Sequence, residues 1–100
     1  MKNWGEKAQN LECRAEVLVY DPISPWKCYI YAMNPDDEDE IECIVAGFGL
    51  ETTTWSLKEL FSRFNSHGES VQVDHEFRPM HAATLLKELK DKEYYEFYRD

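Results

Sequence analysis

The chain has 100 residues, 43% hydrophobic and 14% aromatic, enough apolar side chain for one folded domain and too much for a disordered one. Twenty acids against 11 bases give a net charge of −9. That excludes direct binding to a nucleic-acid backbone or an anionic membrane surface as an expected task, because both rest on clustered Lys and Arg.

Residues 1–11 are polar with Trp4 as the large anchor, and read as a loose N-terminal arm or a short helix. Met1–Lys7 lacks the apolar core of a secretory signal, and no apolar run is long enough for a membrane span. Glu12–Tyr20 alternates and then turns wholly apolar, predicting a first strand with Cys13, Ala15, Val17 and Val19 inward. Asp21-Pro22-Ile23-Ser24-Pro25 ends it, since two prolines remove ladder donors. Trp26–Met33 predicts a second strand, with Trp26, Cys28, Ile30 and Ala32 on one face and Lys27, Tyr29, Tyr31 and Met33 on the other. Neither face is polar, which suits a central strand covered on both sides.

Asn34-Pro35 stops that strand, and the five consecutive acids Asp36–Glu40 read as the turn of an antiparallel hairpin. The third strand resumes at Ile41 with Cys43 and Val45 on one face. Gly47-Phe48-Gly49 predicts a bulge, a bend or a close backbone approach, followed by an extended β-branched segment from Leu50 to Trp55. Ser56-Leu57-Lys58-Glu59 matches a capping box, and Leu57, Leu60, Phe61 and Phe64 form a helical stripe that should end near Asn65–Gly68. Val71–Phe77 alternates as a half-buried strand with Val71, Val73, His75 and Phe77 on one face. A last helix begins near Pro79 with Ala82, Leu85, Leu86 and Leu89 inward. The aromatic tail 93–100 extends it or runs as a flap. This order predicts a single α+β domain, 1–100, with a mainly antiparallel sheet of four to five strands and two helices packed on one face.

Three cysteines (Cys13, Cys28, Cys43), each in a strand-like run, suit buried free thiols in a reducing cytoplasm better than a disulfide framework. None lies at a predicted helix start, where a thiol would be activated. No Cys or His pair has structural-zinc spacing, and the acid run lacks the glycine and the spaced Glu of a calcium loop. Gly47-x-Gly49 is too short for a nucleotide fingerprint. No metal, cofactor or catalytic residue is expected. Most aromatic rings suit the core, and net charge by itself needs no reason beyond solubility.

Trp26 with its aromatic strand, Asn34-Pro35-Asp36, Gly47-Phe48-Gly49-Leu50-Glu51, Trp55-Ser56-Leu57-Lys58-Glu59-Leu60 and Val73-Asp74-His75-Glu76-Phe77-Arg78-Pro79 follow one another in the chain. In this order, over roughly residues 20–90, they resemble an uncharacterised family of small proteins from plasmids and other mobile elements, a domain of unknown function. The family's Glu-Arg pair before the strand Asp is missing here, where Gln72-Val73 precede Asp74. The resemblance implies a mobile-element origin and brings no activity or catalytic residue with it.

The leading expectation is a non-enzymatic cytoplasmic protein-binding module. It would be a phage- or plasmid-encoded inhibitor that engages the basic nucleic-acid-binding surface of a host defence complex. Its partner-binding residues would be Asp36, Asp37, Glu38, Asp39, Glu40 and Glu42, with Tyr29 and Tyr31 supplying desolvated contact. An accessory domain that binds through the aromatic C-terminal tail is the alternative, and a small carboxylate or thiol enzyme the third reading. Pairing of the edge strand Val71–Phe77 across a two-fold axis leaves a homodimer open.

Overall fold

Alternating residues of one central strand feed two separate cores, and the rest of the fold follows from that. The computed structural model describes residues 13–47, 49–63 and 67–97, with backbone alone for 93–97. The N-terminal arm with Trp4 and the rings of Phe48, Phe64 and the 94–98 aromatic cluster lie outside the described residues and side chains, whereas the backbone of 93–97 continues the last helix and does not run as a flap. The strands are β1 (Arg14–Ala15), β2 (Val17–Tyr20), β3 (Lys27–Asn34), β4 (Asp37–Ala46), β5 (Leu50–Ser56), β6 (Gln72–Val73) and β7 (Met80–His81). The helices are α1 (Leu57–Phe61) and α2 (Ala82–Phe97). Strands β5-β4-β3-β2-β6 form an antiparallel sheet in that order, and β1 pairs with β7 in a small second sheet. The α+β class and the antiparallel sheet are as the sequence predicts.

On one face of β3, Tyr29 and Tyr31 pack with Ala15, Leu18, Ile44, Ala82 and Leu85, and α2 is the cover. On the other, Cys28 packs with Val19, Ile41, Cys43, Leu60 and Val71, and α1 is the cover. The helices therefore lie on opposite faces, not on one. The apolar character of both faces of β3, already visible in its composition, is the reason: each face needs its own lid. Ala32 joins the tyrosine side because the pairing with β4 shifts between Ile30 and Ala32, and this bulge reverses its expected direction.

The predicted first strand is split at Glu16, whose N–H donates to the Ile30 carbonyl at 3.1 Å. Ala15 thus belongs to the α2 side, while Val17 and Val19 belong to the α1 side. The turn after β2 is closed by Asp21 N–H to the Trp26 carbonyl at 3.1 Å. The Asp21 carboxylate also accepts from Ile23 N–H and the Ser24 hydroxyl, the local bonding that makes Asp a turn residue.

Three further boundaries differ from expectation. Helix α1 ends at Phe61 with Ser62 as its C-cap, short of the expected Asn65–Gly68, and Phe61 of its expected apolar stripe is exposed. The strand over 71–77 shrinks to Gln72–Val73: Asp74 N–H makes a last in-register bond to the Leu18 carbonyl, and its carboxylate and carbonyl then accept Glu76 N–H and Phe77 N–H, which turns the chain. His75 is exposed, and Phe77 crosses to the α2 side, where it meets the Tyr29 ring at 5.7 Å. The last helix begins at Ala82, not near Pro79, since Met80–His81 pair with β1 and Ala82 N–H donates to the Cys13 carbonyl. Its expected inward residues Ala82, Leu85, Leu86 and Leu89 all face the core.

Candidate protein-binding surface

Asn34 pairs with Asp37, so the loop of the β3–β4 hairpin is only Pro35-Asp36. Asn34 makes so tight a turn possible: its side-chain oxygen accepts Asp36 N–H at 2.9 Å, and its side-chain amide donates to Glu40 at 2.8 Å. The acid run is therefore not a loop. Asp37–Glu40 extend β4, but the register with β3 shifts between Met33 and Asn34, so Asp37 pairs with Asn34 while Glu38 and Asp39 have no partner in β3.

These acids divide by surroundings. Asp36, Asp37 and Glu38 are exposed at the tip, and none pairs with a Lys or Arg among the described residues. Asp39 and Glu40 are half-buried. Asp39 Oδ2 accepts the Ser56 hydroxyl at 2.6 Å and Oδ1 accepts Lys58 N–H at 2.9 Å. These two bonds, the Ser56 hydroxyl foremost, hold its carboxyl below the usual range. Ser56 caps α1 as expected by accepting Glu59 N–H at 3.3 Å. The Glu59 carboxylate does not return to Ser56, however; it accepts the Trp55 indole N–H at 3.1 Å. Asp37, Asp39, Glu40 and Glu59 with Thr54, Trp55 and Ser56 line a shallow depression of 320 Å³.

Three residues expected at a partner surface are interior. Glu42 is 1% exposed, Tyr31 4% and Tyr29 6%. The Tyr31 hydroxyl donates to Glu42 at 2.8 Å inside the sheet–α2 layer. Burial, and then the neighbouring Glu42 carboxylate, push the Tyr31 hydroxyl well above its ordinary pKa; burial does the same to Tyr29. Their apolar rings fill the α2-side core, so neither they nor Glu42 can meet a partner while the fold is intact. On the opposite face, Cys28 and Cys43 are fully buried neighbours. A hydrogen bond between the two sulfurs and burial raise the Cys28 thiol far above the usual range, away from a nucleophilic thiolate.

A second exposed feature surfaces on the α1 side, and sequence reasoning missed it. The Trp26 and Trp55 rings meet edge to face at 6.2 Å, and the Arg63 guanidinium lies 4.6 Å from one ring centroid and 5.4 Å from the other. Each such contact is worth about 0.5–1 kcal/mol at an exposed site. Gly47 is where the backbone passes Trp26: a Cβ there would lie 2.8 Å from Trp26 Cδ1. Trp26, Val45, Gly47, Gly49, Leu50, Glu51 and Arg63 bound an open cavity of 380 Å³. The Trp pair was separately visible as two large rings, but nothing in the spacing links Arg63 to Trp55 eight residues before it or to Trp26 37 residues before it.

Among the described residues no three His, Cys, Asp or Glu side chains converge as metal ligands, and no helix is long and apolar enough to cross a membrane. No family model, no curated protein and no solved structure matches this chain.

Proposed function

We propose that the protein is a non-enzymatic binding module whose acidic hairpin tip engages a basic surface on a protein or nucleoprotein complex. The observation that carries this reading is the tip itself. Asp36, Asp37 and Glu38 stand exposed at a hairpin with a two-residue loop, with no Lys or Arg paired to them among the described residues, in a chain of net charge −9. Asp37 pairs with Asn34 across the turn, so three carboxylates are grouped at one end of the hairpin, although the β3–β4 register shifts between Met33 and Asn34 and leaves Glu38 without a ladder partner. Charge complementarity of this kind accelerates encounter and suppresses wrong partners. An inhibitor that occupies the nucleic-acid-binding groove of a host defence complex, in keeping with the mobile-element resemblance, is the narrower form of the proposal. The raised thiol of Cys28 and the structural use of Asp39 and Glu42 favour binding over acid–base or thiol chemistry.

The test is affinity capture from host lysate at low and moderate salt, with the wild-type chain beside an Asp36→Lys/Glu38→Lys variant. Asp39, Glu40 and Glu42 stay untouched, because they hold the fold. Capture of a basic nucleic-acid-binding complex that is released as salt rises, and is lost in the variant, supports the reading. Equal capture by both proteins at both salts removes the tip as the contact.

A further inference from the structure

We propose that β5 is the contact strand of a symmetric homodimer, paired antiparallel to its own copy about a two-fold axis through Thr53. Strand β5 is the edge of the five-stranded sheet, and among the described residues its one strand partner is β4. Its pairing with β4 runs without a shift from Glu40↔Ser56 to Ala46↔Leu50. Edge strands are normally blunted by brevity, proline, charged side chains (lysine above all) or a bulge. The opposite edge is: β6 has two residues and stops at the Asp74 turn. Strand β5 has seven, Leu50-Glu51-Thr52-Thr53-Thr54-Trp55-Ser56, with no proline, lysine or bulge, and Glu51 as its one charge.

The sequence of the strand complements itself. Thr53 is its middle residue, so a two-fold axis there pairs all seven positions. Thr53 then faces Thr53 of the second copy, and Thr52 faces Thr54, which are favourable cross-strand pairs. Glu51 faces Trp55 of the second copy, on the same side of the sheet. Trp55 carries Arg63 against its ring, and Arg63 and Glu51 are both exposed in the single chain. Each Glu51 carboxylate thus arrives beside the other copy's Trp55–Arg63 stack, and symmetry makes the acid–base contact twice. Charge complementarity selects this register: an axis through Thr52 or Thr54 separates Glu51 from Trp55 and leaves residues of the strand unpaired.

The test is sedimentation equilibrium of the full chain with two single variants, Glu51→Arg and Arg63→Glu, whose folds are checked by circular dichroism. The wild type should be a concentration-dependent dimer. Each variant alone should dissociate at least about tenfold more readily, since it sets like charges together at both contacts. An equimolar mixture of the two variants should recover the dimer. The copy carrying Glu51→Arg then brings a base to each contact and the copy carrying Arg63→Glu brings an acid, so both contacts are attractive. A wild-type chain that stays monomeric to about 1 mM overturns the proposal. So does a dimer insensitive to both variants, or a mixture that associates no better than its components.

Discussion

The carboxylate of Asp39, on the second strand of the hairpin, closes the N-terminus of α1 by accepting the backbone N–H of Lys58 at 2.9 Å. An acid from a run that looks like solvated charge is thus a tertiary helix cap, supplied across 19 residues of chain. Removing a cap weakens a helix terminus, because its first N–H groups have no partner within the helix. Asp39→Ala should lower the melting temperature by about 4–8 °C, whereas Glu38→Ala should leave it unchanged. Thermal unfolding followed by circular dichroism distinguishes them.

The same carboxylate makes a pH prediction. Its pKa is lowered in the folded state by Ser56 and Lys58. Its contribution is therefore fully present above the unfolded value of about 3.9, and is lost as pH falls through the lower folded value. The gap in urea midpoint between wild type and Asp39→Asn should be constant near neutrality and shrink in strong acid. A gap that instead widened below pH about 4 would contradict the assigned direction.

Tyr31 and Glu42 set a further test. The Tyr31 hydroxyl donates at 2.8 Å to a carboxylate that is 1% exposed. Tyr31→Phe removes that donor and keeps the ring, and should cost about 1.5–3 kcal/mol. A Tyr20→Phe control, whose hydroxyl makes a longer bond of 3.3 Å to exposed Gln72, should cost much less. Urea denaturation of both variants measures the difference.

Gly47 and Trp26 give a spectroscopic one. A methyl group at position 47 would stand 2.8 Å from Trp26 Cδ1, and a ring cannot give way as a flexible chain end does. Gly47→Ala should destabilise by about 1–3 kcal/mol and shift the tryptophan emission as Trp26 leaves the Trp55–Arg63 stack. Unchanged emission and stability would mean that the backbone there yields more easily than the packing implies.

The buried thiols should be silent. Cys28 and Cys43 are 0% exposed, whereas Cys13 is half-buried. A thiol reagent added to the native chain should modify Cys13 readily, and the other two only as fast as the molecule opens. Mass spectrometry of the modified chain at successive times reads this directly.

Much of this fold was legible in the sequence because the signals were periodic. Leu85 and Ala82 fall on a helical stripe, and Cys28 alternates with Tyr29 on a strand covered from both sides. The Ser56 cap was legible from four residues. What was hidden is non-local. Acids are poor strand formers, so Asp37–Glu40 read as a loop; they run extended because Asn34 turns the chain in two residues, Glu40 pairs with Ser56 and Asp39 finds α1. Tyr31 and Glu42 read as surface because neither residue type announces the other, and only the cross-strand register brings them together. Arg63 was missed for the same reason.

The division within the acid run also bears on how such a chain can change over generations. Asp36 and Glu38 are exposed at the tip, where substitution carries little structural cost. Asp39 and Glu42, tied to α1 and to Tyr31, are pinned by the fold itself. Descendants should therefore hold these two acids while their exposed neighbours vary, so that what looks like one uniform block of charge is inherited in pieces.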